Sequence, residues 1–272
     1  ALGLTCAALR AAQPVRVVSQ FVGGDEMLIA LAEPEQIAAL SHLATAKEYS
    51  AVAAEAARFP HIAQGDAETI LKFNPTLVLM ADYSRSELVE AVQRTGVRVI
   101  VFNNYATFDD ACANLRIVAR ELGPQAEAKA ERVITDYRER VRVLAEKMRD
   151  AKKVRVIVPS TYGIMSGTGT SFQDICDHAG AENLAATLGG LHGHQPAPPE
   201  QMLAWPVDQV VVSGETIETA LAPFLDLSPY KYLTAVRERR VVLVQPYMLS
   251  CMTHYRVDGY ECLARALHPE LF

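Results

Sequence analysis

The chain has 272 residues, half of them hydrophobic and 21% charged, which is the composition of a folded protein and not of a disordered one. Its formal net charge of −6 argues against a nucleic-acid partner, which needs a basic surface. No apolar run reaches the roughly 18 residues that a membrane-spanning helix requires. The length allows one large or two modest domains, each with its own core.

The first dozen residues are apolar and rich in small side chains, and they end at Gln13-Pro14. This pattern is typical of the end of a secretory signal peptide, so we predict that residues 1–13 are a signal-peptide remnant; an ordered helix is the alternative. Cys6 follows Thr5, which fits a lipoprotein cysteine badly, so we do not expect a lipid anchor. The five cysteines are widely spaced and odd in number, which predicts neither a disulfide framework nor a closed zinc site.

Apolar runs alternate with amphipathic segments along the first 122 residues. The runs are, in chain order, RVVSQF, QIAALSHL, PTLVLMA and VRVIVFN. Hydrophobic spacing predicts helices at Asp25–Leu31, Ala67–Phe73, Ser84–Thr95 and Phe108–Leu122. Alternation of strands and helices predicts a parallel sheet whose faces are covered by helices.

A long amphipathic segment follows. Glu127–Arg149 carries apolar side chains at spacings of three and four, which predicts one helix of roughly six turns. The apolar runs then resume as KVRVIVP, VDQVVVSG and RRVVLVQP. Further helices are predicted at Ser171–Ala179, Glu200–Ala204, Ile217–Leu225, Pro229–Arg237 and Arg256–Leu267.

These elements predict an α/β fold of two Rossmann-like lobes with parallel sheets, joined by one long spine helix, with a ligand cleft between the lobes. The N-terminal lobe is predicted at 14–123, the connecting helix at 124–150 and the C-terminal lobe at 151–272. Ligands of parallel sheets bind beyond the carboxyl ends of the strands. Reading those ends gives the candidate ligand-binding residues Phe21, Tyr49, Tyr83, Arg85, Tyr105, Tyr162, Met165, His192, His194, Tyr247, Met248 and His254.

The tyrosines in this set combine an apolar ring with a polar tip, which suits a large and partly apolar ligand. Met248, Cys251, Met252 and His254 are soft ligands that could hold copper or haem iron, or Met and Cys fill a gap while His254 faces solvent. His192 and His194 lie in the Gly-rich segment GGLHGHQP, where they reach the ligand or are simply exposed. GTGTS at 167–171 is a weak signal for an anion at a helix N-terminus.

The order and spacing of several segments resemble the class III substrate-binding proteins of ABC importers for vitamin B12, iron-siderophores and haem. The resemblance runs from Arg16 to Phe272 and is carried by RVVSQFVGGDEMLIAL, GDAETILKFNPTLVLM, TGVRVIVFN, SGTGTSFQDICDHAGAENLAA and PPEQMLAWPVDQVVVSG. The opening turn departs from the family, because FVGG stands where Ser and Pro are usual. By this resemblance, Tyr49 corresponds to the position at which haem-binding members of the family have an iron-ligating tyrosine. Glu68 and Glu200 correspond to the paired glutamates that dock onto permease arginines in the family.

The resemblance implies a periplasmic or extracytoplasmic solute-binding component of an ABC importer, without an intrinsic cofactor, that captures a metal chelate or tetrapyrrole. Its partners would be an ABC permease and, through the permease, its ATPase; we expect a monomer. One alternative is an enzyme on the same scaffold, a metal chelatase or small-anion hydrolase. GxSxG, P-loop and Rossmann-type GxGxxG motifs are missing from the sequence, which disfavours an enzyme. A second alternative is a receptor for a free metal ion or oxyanion.

Overall fold

Two four-stranded parallel sheets, one before and one after a long helix, form the computed structural model, which describes residues 14–62 and 65–272. The predicted signal-peptide remnant lies outside the described residues. The strands are β1 Val17–Ser19, β2 Ile37–Ala39, β3 Leu77–Ala81, β4 Arg98–Phe102, β5 Val154–Ile157, β6 Ile164–Ser166, β7 Ala181–Asn183, β8 His194–Pro196, β9 Gln209–Ser213 and β10 Val241–Val244. The first sheet has the strand order β2-β1-β3-β4 and the second β7-β5-β9-β10. Within each sheet, the strands therefore lie in the order second, first, third and fourth along the chain.

The helices cover both sheets, as the alternation of patterns predicts. They are α1 Val22–Leu31, α2 Ala53–Ala56, α3 Ala67–Leu71, α4 Ser86–Gln93, α5 Phe108–Leu122, α6 Pro124–Met148, α7 Ser171–His178, α8 Leu184–Thr187, α9 Pro199–Met202, α10 Ile217–Asp226, α11 Thr234–Arg237 and α12 Arg256–Leu267. Each predicted apolar run contains a strand, and α5 and α12 have their predicted bounds. The two-lobed α/β prediction is therefore confirmed.

Three short strands of the structure were not predicted from the sequence. β7 is a fourth strand of the second sheet, while β6 and β8 pair with each other as an antiparallel ribbon. Each has only three residues, and sequences such as HQP and AEN carry no period-two apolar pattern from which a strand could be read. The Gly-rich segment that contains His192 and His194 is thus partly a strand.

α5 and α6 meet at a single glycine. Gly123 has φ of 108°, a conformation that side chains disfavour, and it ends α5. Pro124 is the first residue of α6, where its missing N–H costs nothing. This pair turns the chain into the 25-residue spine helix.

One apolar core runs from the first lobe through α6 into the second. α6 buries Ala126, Ala130, Ile134 and Leu144, and the same cluster contains Val17 of β1 and Val156 of β5. α6 packs against α1 and α5 of the first lobe and against α7 and α12 of the second. Since a wide hinge motion would expose this shared core to water, we expect the lobes to close by only a small movement. In the described part of the chain, helices long and apolar enough to cross a membrane are lacking.

Candidate functional site

A cleft of about 510 Å³ separates the carboxyl ends of β3 and β4 from the N-terminus of α7 and the β6–β8 ribbon. The connection that follows β10 closes one side of it. The cleft is therefore built from both lobes, where the parallel topology predicts ligand binding. Its lining consists of Tyr83, Asn103, Asn104, Tyr105, Ala106, Asp110, Ser166, Gly169, Thr170, Ser171, Phe172, Gly193, His194, Leu249, Ser250 and Met252.

Two tyrosines form the aromatic part of the first lobe's wall. Tyr83 follows β3 and is 61% exposed, while Tyr105 follows β4 and donates a hydrogen bond to Asp82 Oδ1 at 2.8 Å. Partial desolvation, reinforced by the neighbouring Asp82 carboxylate, raises the pKa of each phenol to about 12. Both phenols are therefore neutral at physiological pH, and both tyrosines line the cleft.

The second lobe's wall begins at the N-terminus of α7. Thr170 caps this helix by accepting a hydrogen bond from Gln173 N, a standard helix-start arrangement. Gly167 lies so close to Leu191 that an added Cβ would be 2.0 Å from the Leu191 carbonyl oxygen. Only glycine permits this approach, which brings the segment after β6 against the segment before β8.

The two histidines of this segment, His192 and His194, have different surroundings. His194 Nδ1 is 3.2 Å from Ser166 Oγ and both side chains line the cleft, so the other ring nitrogen, Nε2, is available to a ligand. His192 Nδ1 is 2.6 Å from Thr168 Oγ1, and His192 is outside the described cleft lining. In serine hydrolases a carboxylate holds Nδ1 while Nε2 faces the serine; here Nδ1 faces Ser166. The Ser166–His194 pair is not arranged for that chemistry.

Two smaller cavities adjoin the cleft at Tyr83. One of about 190 Å³ is lined by Tyr49, which is 53% exposed, and by Glu26, Cys251 and Met252 among others. The other, of about 240 Å³, is lined by Arg85, whose guanidinium donates a hydrogen bond to the Gly65 carbonyl oxygen. Tyr83 belongs to all three linings, so this residue borders each of the three cavities.

A fully buried arginine ties the two walls together. Arg256, the first residue of α12, is 0% exposed and donates hydrogen bonds to the carbonyl oxygens of Tyr105, Ala106 and Thr107 in the first lobe. Its Nε lies 3.0 Å from Asp174 Oδ2 on α7, and Tyr260 donates a hydrogen bond to the same carboxylate. The loop after β4 and the helix α7, which form opposite walls of the cleft, are thus held by one side chain.

Two adjacent carboxylates of α1 are completely buried. Asp25 accepts hydrogen bonds from the Ser41 backbone and hydroxyl at 2.9 and 2.5 Å. Glu26 accepts hydrogen bonds from Thr253 Oγ1 at 2.6 Å and from Ala51 N at 3.0 Å. Burial raises the pKa of each carboxyl to about 7 despite these donors.

Several predicted site residues lie away from the cleft surface. Phe21 is only 5% exposed, and its ring packs 5.7 Å from that of Phe102 and over Gly23 and Gly24, whose missing side chains make room for it. The unusual FVGG turn therefore belongs to the core, although Phe21 does touch the Arg85 cavity. Met165, 1% exposed, is part of the second lobe's core.

The segment after β10 also differs from its prediction. His254 is 2% exposed and packs between Tyr137 and Tyr255; burial and the Arg140 charge lower the pKa of its imidazole to about 3. It is therefore shielded from solvent and lies outside the linings of the cleft and of the two cavities beside it. Tyr247 and Met248 are half-buried in a short turn, outside the described cavity linings, and Met248 packs on Gly259. Tyr162 is 91% exposed and also lies outside these linings.

Sequence reasoning overlooked other residues of the site. Glu26 and Arg256 each had a signal: Glu26 is one of two adjacent acids in the mostly apolar segment VGGDEMLIAL, and Arg256 is an arginine at a helix start, where the dipole disfavours it. Thr170 had only the weak signal of the GTGTS segment, and Phe172 and Leu249 had none. Among the described residues, groups of three or more His, Cys, Asp or Glu that could hold a metal ion are not found.

Comparison with known proteins shows to which protein family the chain belongs. A family model described as "Periplasmic binding protein" matches residues 17–248, and the chain belongs to this family. A curated relative, the uncharacterized ABC transporter substrate-binding lipoprotein YvrC of Bacillus subtilis strain 168, is 22% identical over 218 residues. The match covers 76% of this chain and 66% of that protein, so the chain spans slightly less than two thirds of the relative's length.

Solved structures share the fold at low identity. The periplasmic heme-binding protein RhuT from Roseiflexus sp. RS-1 in apo form superposes with a TM-score of 0.81 at 21% identity, covering 95% of this chain and 100% of its own. The periplasmic vitamin B12-binding protein BtuF of Vibrio cholerae superposes with a TM-score of 0.72 at 19% identity, covering 93% and 96%. These likenesses establish the class III binding-protein fold that the sequence resemblance implies.

Proposed function

We propose that this protein is the extracytoplasmic solute-binding component of an ABC importer and that it captures a metal chelate or tetrapyrrole in the interlobe cleft. The main observation behind this proposal is the cleft, which has a volume of about 510 Å³, two phenols on one wall and an imidazole on the other. Ring faces suit a flat or partly apolar ligand. Membership of the periplasmic binding protein family and the haem- and vitamin B12-binding functions of the structural neighbours support the same assignment.

The metal, in this proposal, arrives inside the ligand. His194 lines the main cleft and Tyr49 lines the smaller cavity beside it, so either side chain would be a candidate ligand for a metal centre carried by the bound molecule. Tyr49 and His194 offer no ready-made cage for a bare ion, and an oxyanion would find few cationic side chains in the lining. We therefore favour a receptor for a metal chelate over a receptor for a free ion, and we favour both over an enzyme.

An absorption titration tests this function. Purified protein is titrated separately with haem, cyanocobalamin and ferrioxamine B at pH 7.5. We expect one of them to bind with a dissociation constant of roughly 1 µM or below and, for haem, a shifted Soret band. Failure of every probe to bind would contradict the proposed ligand class.

Delivery to a permease is proposed to use Glu68 and Glu200. Both are exposed residues in the first turns of short helices, one in each lobe. The Glu68 carboxylate is 3.4 Å from Lys72 Nζ, a surface pair of little energetic weight, so it is free to exchange this partner for a permease arginine. The ATPase would be engaged only through the permease, by a monomeric binding protein.

Replacing both glutamates with alanine should leave chelate affinity unchanged and weaken association with the permease by roughly tenfold or more, since complementary surface charges fix the docked register. Binding to the permease in nanodiscs, measured by surface plasmon resonance, checks this. The matched control is Glu87→Ala with Glu218→Ala, which alters one exposed first-turn glutamate in each lobe. Equal losses in both double variants would refute specific docking.

A further inference from the structure

The smaller cavity beside Tyr83 is lined by a buried carboxyl group, Glu26, that has no role in the function proposed above. It measures about 190 Å³ and shares Tyr83, Ser250 and Met252 with the main cleft. The remaining lining combines apolar walls with a carboxyl and a thiol, and consists of Val22, Gly23, Glu26, Leu43, Tyr49 and Cys251. It is large enough for a substituent of a few heavy atoms.

Glu26 enters this cavity without a compensating cation. Its hydrogen-bond partners are Ala51 N, Thr253 Oγ1 at 2.6 Å and Cys251 Sγ at 3.6 Å, all neutral groups. Among the described residues it takes part in no ion pair, and its side chain is nearly completely buried. A carboxylate has about four lone-pair sites, so after these contacts an acceptor site remains for a donor from the cavity.

The surrounding lining reinforces this preference. In the described linings of the main cleft and the Glu26 cavity there is no Lys or Arg, whereas Asp110 and Glu26 are acidic. Arg85 belongs to the other side cavity, and its guanidinium is already hydrogen-bonded to Gly65. A ligand edge that carries carboxylates would find an acidic side chain and no cationic partner in these linings, which is costly in a buried site.

We propose that the Glu26 cavity is a subsite for a ligand substituent that donates hydrogen bonds or carries a positive charge, such as an amide or an ammonium group. This assignment rests on the proposed function and narrows it: the transported chelate has a neutral or cationic edge instead of a carboxylate edge. Tyr49 and Met252 belong to the apolar part of the lining that would contact the rest of that substituent.

Isothermal titration at pH 7.5 tests the subsite with probes of defined edge chemistry. Dicyanocobinamide carries amides, ferrioxamine B carries an ammonium group, and haem and ferric citrate carry carboxylates. We expect the tightest-binding probe to be one of the first two. Glu26→Gln, which keeps the shape but removes the charge, should weaken its binding roughly tenfold or more. Leu43→Phe, which narrows the cavity without altering charge, should weaken the same probe.

Asp25→Asn is the matched control, because Asp25 is the adjacent buried carboxyl but is bonded to Ser41 and is outside the cavity lining; it should leave affinity unchanged. Tightest binding by haem or ferric citrate, or unaltered affinity in both Glu26→Gln and Leu43→Phe, would overturn the subsite while leaving the chelate-binding function intact. Absence of binding by all four probes would instead overturn the proposed function, and the subsite with it.

Discussion

Replacing Arg256 with leucine is expected to lower the free energy of unfolding by about 3–5 kcal/mol, because it removes one partner from a buried charge pair. The substitution leaves Asp174 without its cation and leaves three carbonyl oxygens of residues 105–107 without a donor. Urea unfolding followed by circular dichroism measures the loss.

Arg265→Leu is the control for this prediction. Arg265 lies on the same helix but is exposed, with its guanidinium over the Phe272 ring, so its removal should cost no more than about 1 kcal/mol. Replacing Arg256 and Asp174 together by leucine should recover part of the stability, because no buried charge then remains unpaired. Equal stability of the Arg256→Leu protein and the wild type would show that the arginine does not hold the two walls.

Tyr83→Ala should weaken binding of whichever chelate the titration identifies by about 1–3 kcal/mol, or roughly tenfold to hundredfold, as expected for an aromatic anchor in a desolvated site. We expect this loss because Tyr83 lines the cleft and both side cavities. Its large exposed fraction before ligand binding means that stability should change little. Fluorescence or absorption titration measures the affinity.

Tyr162→Ala is the matched control, since Tyr162 is a 91% exposed tyrosine outside these linings; its affinity should equal that of the wild type. Comparison of Tyr49→Ala with Tyr49→Phe then separates two roles for that residue. Equal damage from both would indicate ligation through the phenol oxygen, and damage from alanine alone would indicate packing of the ring. Normal binding by Tyr83→Ala would show that the aromatic wall of the cleft does not contribute to ligand affinity.

The fold was predictable because its strongest elements have strong local signals. α5 matches its predicted bounds since Thr107 caps one end and Gly123 terminates the other, and strands such as β3 are uninterrupted apolar runs. The boundaries that moved have identifiable causes. α1 starts at Val22 instead of Asp25, because the Phe21 ring fills the space over two glycines and lets the helix begin earlier.

The site was predictable only where it follows a long strand. Tyr83 and Tyr105 come directly after β3 and β4, so the rule for parallel sheets located them. Met165 was misplaced because β6 is a three-residue strand whose inward face cannot be read from its sequence. Arg256 was overlooked because a charged residue at a helix start is ordinarily solvated; only the packing of the two lobes shows that it is buried.

Hydrogen exchange with and without bound chelate tests most directly that ligand is held between the lobes. Mass spectrometry would compare amide exchange in the free protein with that in the complex of whichever probe binds in the titration. The cleft geometry predicts simultaneous protection of residues 103–107 in the first lobe and of 166–172 and 193–196 in the second. Protection confined to one lobe, or centred on the separate cavity formed by Arg155, Asp208 and Arg240, would contradict an interlobe binding site.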